Sequence, residues 1–148
     1  MTASPAIEAA RHFLALVWDR APPAEPALAE ALDRLASAYH ATPDSPPAEL
    51  DPEPPAQDWA ALQAAVAERF PELGFYAVAD PLAPPESPVM LADAIDDIAD
   101  ITRDLREVVW RAETLGTSDG EWCFRLLYFH WGRHLRELAL YLHARRFD

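Results

Sequence analysis

The sequence predicts an all-α bundle of about five helices in a single domain over residues 1–148, joined by proline-rich connecting loops. Three observations carry that reading. Apolar residues recur at helical spacing in several blocks, as in Leu28, Leu32, Leu35 and Tyr39. Ser4-Pro5 and Ser87-Pro88 each place a capping side chain before a proline suited to the first helical turn. The last third holds two long helical patterns back to back, an acidic amphipathic one over 87–114 and an apolar, aromatic one over 119–146.

Each element follows from local signals. The first helix starts at Ser4-Pro5, and Ile7, Phe13, Leu14, Val17 and Trp18 keep helical spacing until Pro22-Pro23. Pro26 opens the second. Residues 43–55 hold six prolines among Asp, Glu and Ser, too many for a helix interior, which predicts an extended linker or a wrapping loop. A third helix is predicted from Gln57 to Phe70, with Trp59, Leu62, Val66 and Phe70 on one face and Pro71 ending it. Residues 71–87 read as an aromatic-anchored loop: Phe75-Tyr76-Ala77-Val78 has strand character, but no partner strand is evident. The fourth helix starts at Ser87-Pro88, and Gly116 ends it in a left-handed conformation. Ser118 or Asp119 caps the fifth, whose innermost row is Phe124, Leu127, Trp131, Leu135, Leu138 and Leu142. This last helix is expected to supply most of the hydrophobic centre.

Composition bounds the class. A chain of 148 residues that is 51% hydrophobic and 10% aromatic can build one core without disulfide or metal staples. Cys123 is the single cysteine, so no intrachain disulfide forms and a reducing compartment is expected. The start Met-Thr-Ala-Ser-Pro lacks the basic and apolar segments of a secretory leader, and no apolar run approaches the roughly 20 residues of a membrane span. A cytoplasmic location without membrane association is the expectation. The formal charge is −13: residues 1–100 carry 4 Arg against 18 acids, and residues 101–148 carry 8 Arg against 7. Such a field repels phosphates and excludes nucleic acid as a partner. All 12 basic residues are Arg, which with abundant Ala and Pro suggests a GC-rich bacterial genome.

On a helical wheel of the fourth helix, Ala94, Ile95, Ile98, Ile101, Thr102, Leu105, Val108, Val109 and Ala112 share one half. Asp93, Asp96, Asp97, Asp100, Asp104 and Glu107 occupy the other. The favoured reading is a solvated face, with early acids matched to the helix dipole and Arg103 paired along the helix. The alternative is a carboxylate cluster of Asp93, Asp97, Asp100 and Asp104, spaced by four, three and four and able to share a divalent cation with another helix; Asp97 and Asp104 lie at the edge of the core stripe. In the fifth helix Arg125, Arg136 and His143 point away from the core row, while Cys123, His130, His134 and Tyr141 form a flank with Glu137 nearby. His130 and His134 stand one turn apart, the spacing of a bidentate metal clamp. Neither the zinc-protease pattern nor the Glu-x-x-His pairs of di-iron bundles is present. Two boundary histidines are more often hydrogen-bonded residues than ligands, and Cys123 reads as a packed side chain. Gly132, costly inside a helix by about 1 kcal/mol, suggests close approach by another backbone or a bulky ring: a helix crossing with a partner ring such as Trp110 or Phe75 lying on it is the favoured reading, and a ligand contact the alternative.

The segment Leu91-Ala92-Asp93-Ala94-Ile95-Asp96-Asp97-Ile98-Ala99-Asp100-Ile101-Thr102-Arg103-Asp104-Leu105, followed by Trp131-Gly132-Arg133-His134-Leu135 and Leu142-His143, resembles the bacterial domain-of-unknown-function family numbered 5063. Leu35-Ala36-Ser37-Ala38-Tyr39 leading to Pro43 is similar to an earlier passage of that family. The resemblance implies a small all-helical bacterial protein with no assigned activity. It marks Asp100, Asp104, Trp131, Gly132, His134 and His143 as family-type positions without giving any a catalytic role, and His130 is not part of the pattern.

Two functions from different classes are therefore expected. The favoured one is a non-enzymatic interaction or accessory module without cofactor, binding a protein partner or a second copy of itself, because large apolar groups surround the last helix. The competing one is a metal-binding protein or metal-dependent hydrolase that holds a divalent ion with His130 and His134, completed by Asp97, Asp104 or Glu137. A small-molecule pocket lined by Trp110, Trp131 and His134 is a third arrangement. At least one contact between His134 or His143 and the Asp100/Asp104 helix is expected, although the wheel turns Asp100 outward.

Overall fold

The structure, a computed structural model, describes residues 3–148; Met1 and Thr2, which begin the stretch read for a leader, lie outside the described residues. The order is α1 (Pro5–Trp18), α2 (Glu25–Ala41), α3 (Trp59–Arg69), β1 (Phe75–Val78), β2 (Met90–Asp93), α4 (Ala94–Leu115), α5 (Thr117–Leu126) and α6 (Tyr128–Phe147). The helical class expected from the sequence is therefore found, with six helices among the described residues in place of about five. None of the described helices is long and apolar enough to cross a membrane.

Two helix starts follow capping signals, whereas α2 and α5 have no side-chain cap and Ser118 and Asp119, expected to cap the fifth helix, lie inside α5 behind Gly116. Ser4 Oγ accepts from the Ile7 amide with Pro5 in the first turn, and Asp58 caps α3 by accepting from the Ala61 amide. The Ser87-Pro88 signal, in contrast, does not start α4. Residues 90–93 are a strand, paired antiparallel with β1 in the register Phe75↔Asp93, Tyr76↔Ala92, Ala77↔Leu91 and Val78↔Met90. Asp93 then caps α4 through its side chain to the Ile95 amide. The strand partner missing from the sequence reading was thus hidden in the expected first turn of the fourth helix.

The fifth helix divides at Leu127, where φ is −84° and ψ 0°. No proline or glycine sits there. In an unbroken helix the Phe124 carbonyl would serve the Tyr128 amide; here it accepts the Trp131 indole N–H at 2.9 Å. A side chain inserted into the backbone ladder is a recognised cause of a break. Gly116, between α4 and α5, has φ +113° and ψ 159°, a conformation open to glycine but outside the left-handed helical region that the sequence suggested.

One contiguous cluster of buried apolar residues runs through the chain, and all helices contribute to it. Trp131, Leu135, Leu138 and Leu142 of α6 are buried as expected, with Trp131 at 0% exposure, whereas Leu127 is half-buried at the break. The hub is α4 and not the last helix: it packs against α1, α3, α5, α6 and β2. The close crossing is at Gly120, where an added Cβ would lie 2.6 Å from Ala112 Cβ, so α5 rides directly on α4. The proline-rich segment 43–55 wraps α4 and α5 as anticipated. Arg111, itself buried, binds Asp51 at 2.9 Å, Glu107 at 3.1 Å and Asp119 at 3.2 Å, while Asp119 also accepts the Ala48 amide at 2.9 Å.

Gly132 serves its own helix. The ring it accommodates is Tyr128, one turn earlier, whose Cδ1 and Cε1 lie 2.6 Å from an ideal Cβ; Trp110 and Phe75 are not the neighbours. The Tyr128 ring cannot swing aside easily, since it stacks on Tyr39 at 3.6 Å and leans on Trp131 at 4.8 Å. Alanine would gain about 1 kcal/mol of helix propensity but lose about 1–3 kcal/mol to overpacking, so the clash decides the sign. Urea unfolding is expected to show Gly132→Ala as destabilising in the natural chain and as neutral or stabilising in a Tyr128→Ala background.

Candidate metal centre

The site lies on the seam between α4 and α6. In α4, Asp97, Asp100 and Asp104 are separated by three and four residues, which sets them on one face. That face adjoins the core stripe of Ile98, Ile101 and Leu105, so a helix packed on the flank covers it. α6 is that helix. Asp97, Asp100 and Asp104 are 2%, 9% and 7% exposed. The solvated-face reading is therefore overturned for these three, and the outward placement of Asp100 with it. The wheel measured angle from the core stripe and had no knowledge of a second packing partner.

From α6, His130 and His134 meet these carboxylates in a repeating pattern. His130 sets Nδ1 2.6 Å from Asp104 Oδ2 and Nε2 3.6 Å from Asp100 Oδ1. His134 sets Nδ1 2.7 Å from Asp97 Oδ1 and Nε2 3.2 Å from Asp100 Oδ2. Each imidazole thus has a private aspartate on one nitrogen and shares Asp100 with its neighbour on the other. The two rings meet edge to face at 4.8 Å. One ligand atom from each of His130, His134 and Asp100 lies within 4.8 Å of the others, a grouping able to hold a metal ion.

The surroundings tune the charges. Burial pushes the Asp97 carboxyl above its usual range, opposed by hydrogen bonds from His134 and Tyr76; burial does the same to Asp104, opposed by His130. For His134 burial disfavours the cation, but the Asp97 bond and the charges of Asp100, Asp97 and Glu137 outweigh it and raise the imidazole pKa. The Tyr76 hydroxyl donates to Asp97, and its ring stacks on Tyr141 at 4.4 Å, which ties the hairpin to the seam. Arg103 binds Asp100 Oδ1 at 2.8 Å and lies over the Trp59 ring at 4.6 Å. A shallow cleft of about 330 Å³ opens beside the seam, bounded by Phe75, Met90 and Leu91 of the hairpin and by Asp96 and Glu137.

The expected site residues separate accordingly. His130, His134, Asp97 and Asp104 converge as the metal reading required, but the two aspartates hold the Nδ1 edges, and the carboxylate facing both Nε2 atoms is Asp100. The expected contact between His134 and the acidic helix is present. His143 makes none: it is exposed beside Phe147. Trp131, fully buried, lines no cavity with Trp110 and His134; Trp110 borders a different cleft with Trp18. Sequence reasoning missed Tyr76, whereas the pairing of Arg103 along the acidic helix was expected and is found at Asp100. The i,i+3 spacing of Asp100 and Arg103 was visible, whereas the reach of Tyr76 depends on a hairpin that was read as a loop.

Cys123 does not join the histidine flank, because the break at Leu127 separates it from α6. It is buried, with Sγ 3.6 Å from Glu107 Oε2, and burial followed by the Glu107 charge pushes its thiol well up. In native protein Cys123 is expected to react with Ellman's reagent only as fast as the chain unfolds, and at once in denaturant; rapid labelling of the native state would contradict that placement. No protein-family model, curated protein or solved structure matches this chain.

Proposed function

We propose that the protein binds one divalent transition-metal ion at the α4–α6 seam, through Nε2 of His130, Nε2 of His134 and the carboxylate of Asp100. The observation that carries this reading is the matched orientation of the two imidazoles, each held at Nδ1 by a buried aspartate and turned at Nε2 toward the same third carboxylate. Metal-ligating histidines almost always give their other ring nitrogen to such a partner, which fixes tautomer and aim. Ligand separations agree. Tetrahedral bonds of about 2.1 Å set neighbouring ligand atoms about 3.4 Å apart; Nε2 of His134 stands 3.2 Å from Asp100 Oδ2 and Nε2 of His130 3.6 Å from the other oxygen, Oδ1, so each separation is of that size.

Two imidazoles and one carboxylate suit zinc, iron(II) or manganese better than calcium or magnesium. The imidazoles remain partly exposed at 25% and 29%, so coordination positions would stay open to the cleft. Three protein ligands with an open position is the arrangement of a catalytic metal more than of a structural one. Hydrolysis of a small substrate is the reaction class we attach to the site. We also propose that the chain is a member of family 5063: of the positions that the resemblance marks, Asp100, Asp104 and His134 belong to the seam, Trp131 and Gly132 lie between the two histidines, and His143 stands apart.

Zinc titration of chelator-stripped protein by calorimetry tests the reading. We expect one equivalent per chain, at least about a 100-fold loss for His134→Ala or Asp100→Ala, and about a 10–100-fold loss for Asp97→Asn. Protons compete for Nε2, so affinity should weaken as pH falls through the raised pKa of His134. No saturable uptake of zinc, manganese or iron(II), or full uptake by His134→Ala, would reduce the seam to an ionic staple.

A second reading, self-association, has one observation of its own. Phe129, Leu140 and Phe147 are 76%, 70% and 63% exposed and fall on one face of α6 at about 3.6 residues per turn. Light scattering is expected to show a mass of twice 16.5 kDa that Phe129→Glu with Leu140→Glu returns to the monomer; a monomer at all concentrations would remove this reading.

A further inference from the structure

On another side of α4 lies a cleft of about 450 Å³ between α1, the end of the 43–55 segment and α3. Its walls include the indoles of Trp18 and Trp110, the Arg106 guanidinium, Gln57 and Pro55. Two unmet needs lie at its walls, and a third, at Arg69, lies outside them against the same Trp18 indole. Arg106 lies over the Trp18 ring at 5.0 Å, and no carboxylate pairs with it among the described residues. The Arg69 guanidinium is also over Trp18, at 5.7 Å, and its buried Nε has no partner. Gln57 donates its amide to the Arg103 carbonyl at 3.1 Å, which leaves Oε1 buried with no donor.

The acids that border the cleft are already engaged. Asp58 caps α3, and Glu107 binds Arg111 at 3.1 Å. Arg106 lies over the Trp18 indole, and the Trp110 indole lines the same cleft. A buried acceptor without a donor costs about 1–3 kcal/mol, and a ligand that supplied the donor would recover it. Two π-faces, one cation and one acceptor together describe their complement: a flat ring that carries an anionic group and a hydrogen-bond donor.

We propose that the Trp18–Trp110 cleft is a binding site for a small aromatic carboxylate bearing a ring hydroxyl or N–H. The carboxylate pairs with Arg106, the ring lies against the indoles, and the donor satisfies Gln57 Oε1. The site is independent of the metal reading and uses none of its residues.

The test ligand is 4-hydroxybenzoate, titrated into chelator-treated protein by calorimetry and by following the tryptophan indole N–H resonances. Saturable binding with a Kd of about 1 mM or tighter is expected, with shifts at Trp18 and Trp110 and none at fully buried Trp131. Arg106→Ala, on an exposed position that should not disturb folding, is expected to weaken binding about tenfold or more, and so is replacing the ligand by neutral 4-hydroxybenzyl alcohol. His134→Ala should leave the affinity unchanged. No saturation up to about 10 mM, equal affinity of Arg106→Ala or of the alcohol, or loss of binding in His134→Ala would each overturn the assignment.

Discussion

Removing carboxylates from water costs several kcal/mol apiece unless a partner answers each one. The α4–α6 seam is built around that constraint. Asp97, Asp100 and Asp104 are almost fully covered, and His130, His134, Tyr76 and Arg103 supply the groups that make their burial tolerable. The arrangement also fixes the register of the two helices. Asp97 and Asp104 lie seven residues apart and meet histidines four residues apart, with Asp100 between them. A slip of α6 by one turn would leave at least one aspartate buried and unpaired, at a cost of about 3–5 kcal/mol. The polar groups thus specify an alignment that the apolar row of Trp131, Leu135, Leu138 and Leu142 could satisfy in more than one way.

The rest of the molecule holds α4 at the centre of that arrangement. The hairpin delivers Tyr76 to Asp97 and closes against Tyr141, and the Ala94 amide donates to the Gly74 carbonyl at 3.0 Å, so β1 and the start of α4 move as a unit. At the other end, Arg111 gathers Asp51, Glu107 and Asp119 and binds the proline-rich segment over α4 and α5. The chain is acidic overall, yet among the described residues its buried side-chain polar atoms are almost all answered; Gln57 Oε1 and Arg69 Nε are the exceptions, and both lie near the Trp18 indole or the cleft beside it.

Local physics was legible in the sequence, and contacts between distant elements were not. Ser4 and Asp58 act within three residues, so the caps of α1 and α3 could be read directly; six prolines likewise left 43–55 no choice but an extended path. The His130–His134 spacing and the borderline positions of Asp97 and Asp104 were visible as well. The full burial of Asp100 was invisible, because it depends on which helix covers the flank of α4. The same holds for the break at Leu127, caused by an indole reaching back seven residues, and for β2, whose partner precedes it by more than a dozen. In each case the deciding group lies outside the window in which periodicity operates.

The proposed metal centre is a single coordination set of His130, His134 and Asp100, supported from behind by Asp104 and Asp97. Anomalous diffraction from crystals grown with zinc tests it most directly. The expected result is one strong peak on the seam, about 2.0–2.1 Å from each Nε2 and about 2.0–2.2 Å from an Asp100 oxygen, with both Nδ1 contacts retained. Density showing the seam without an ion at saturating zinc, or zinc held by the Nδ1 edges or by surface carboxylates elsewhere, would contradict it.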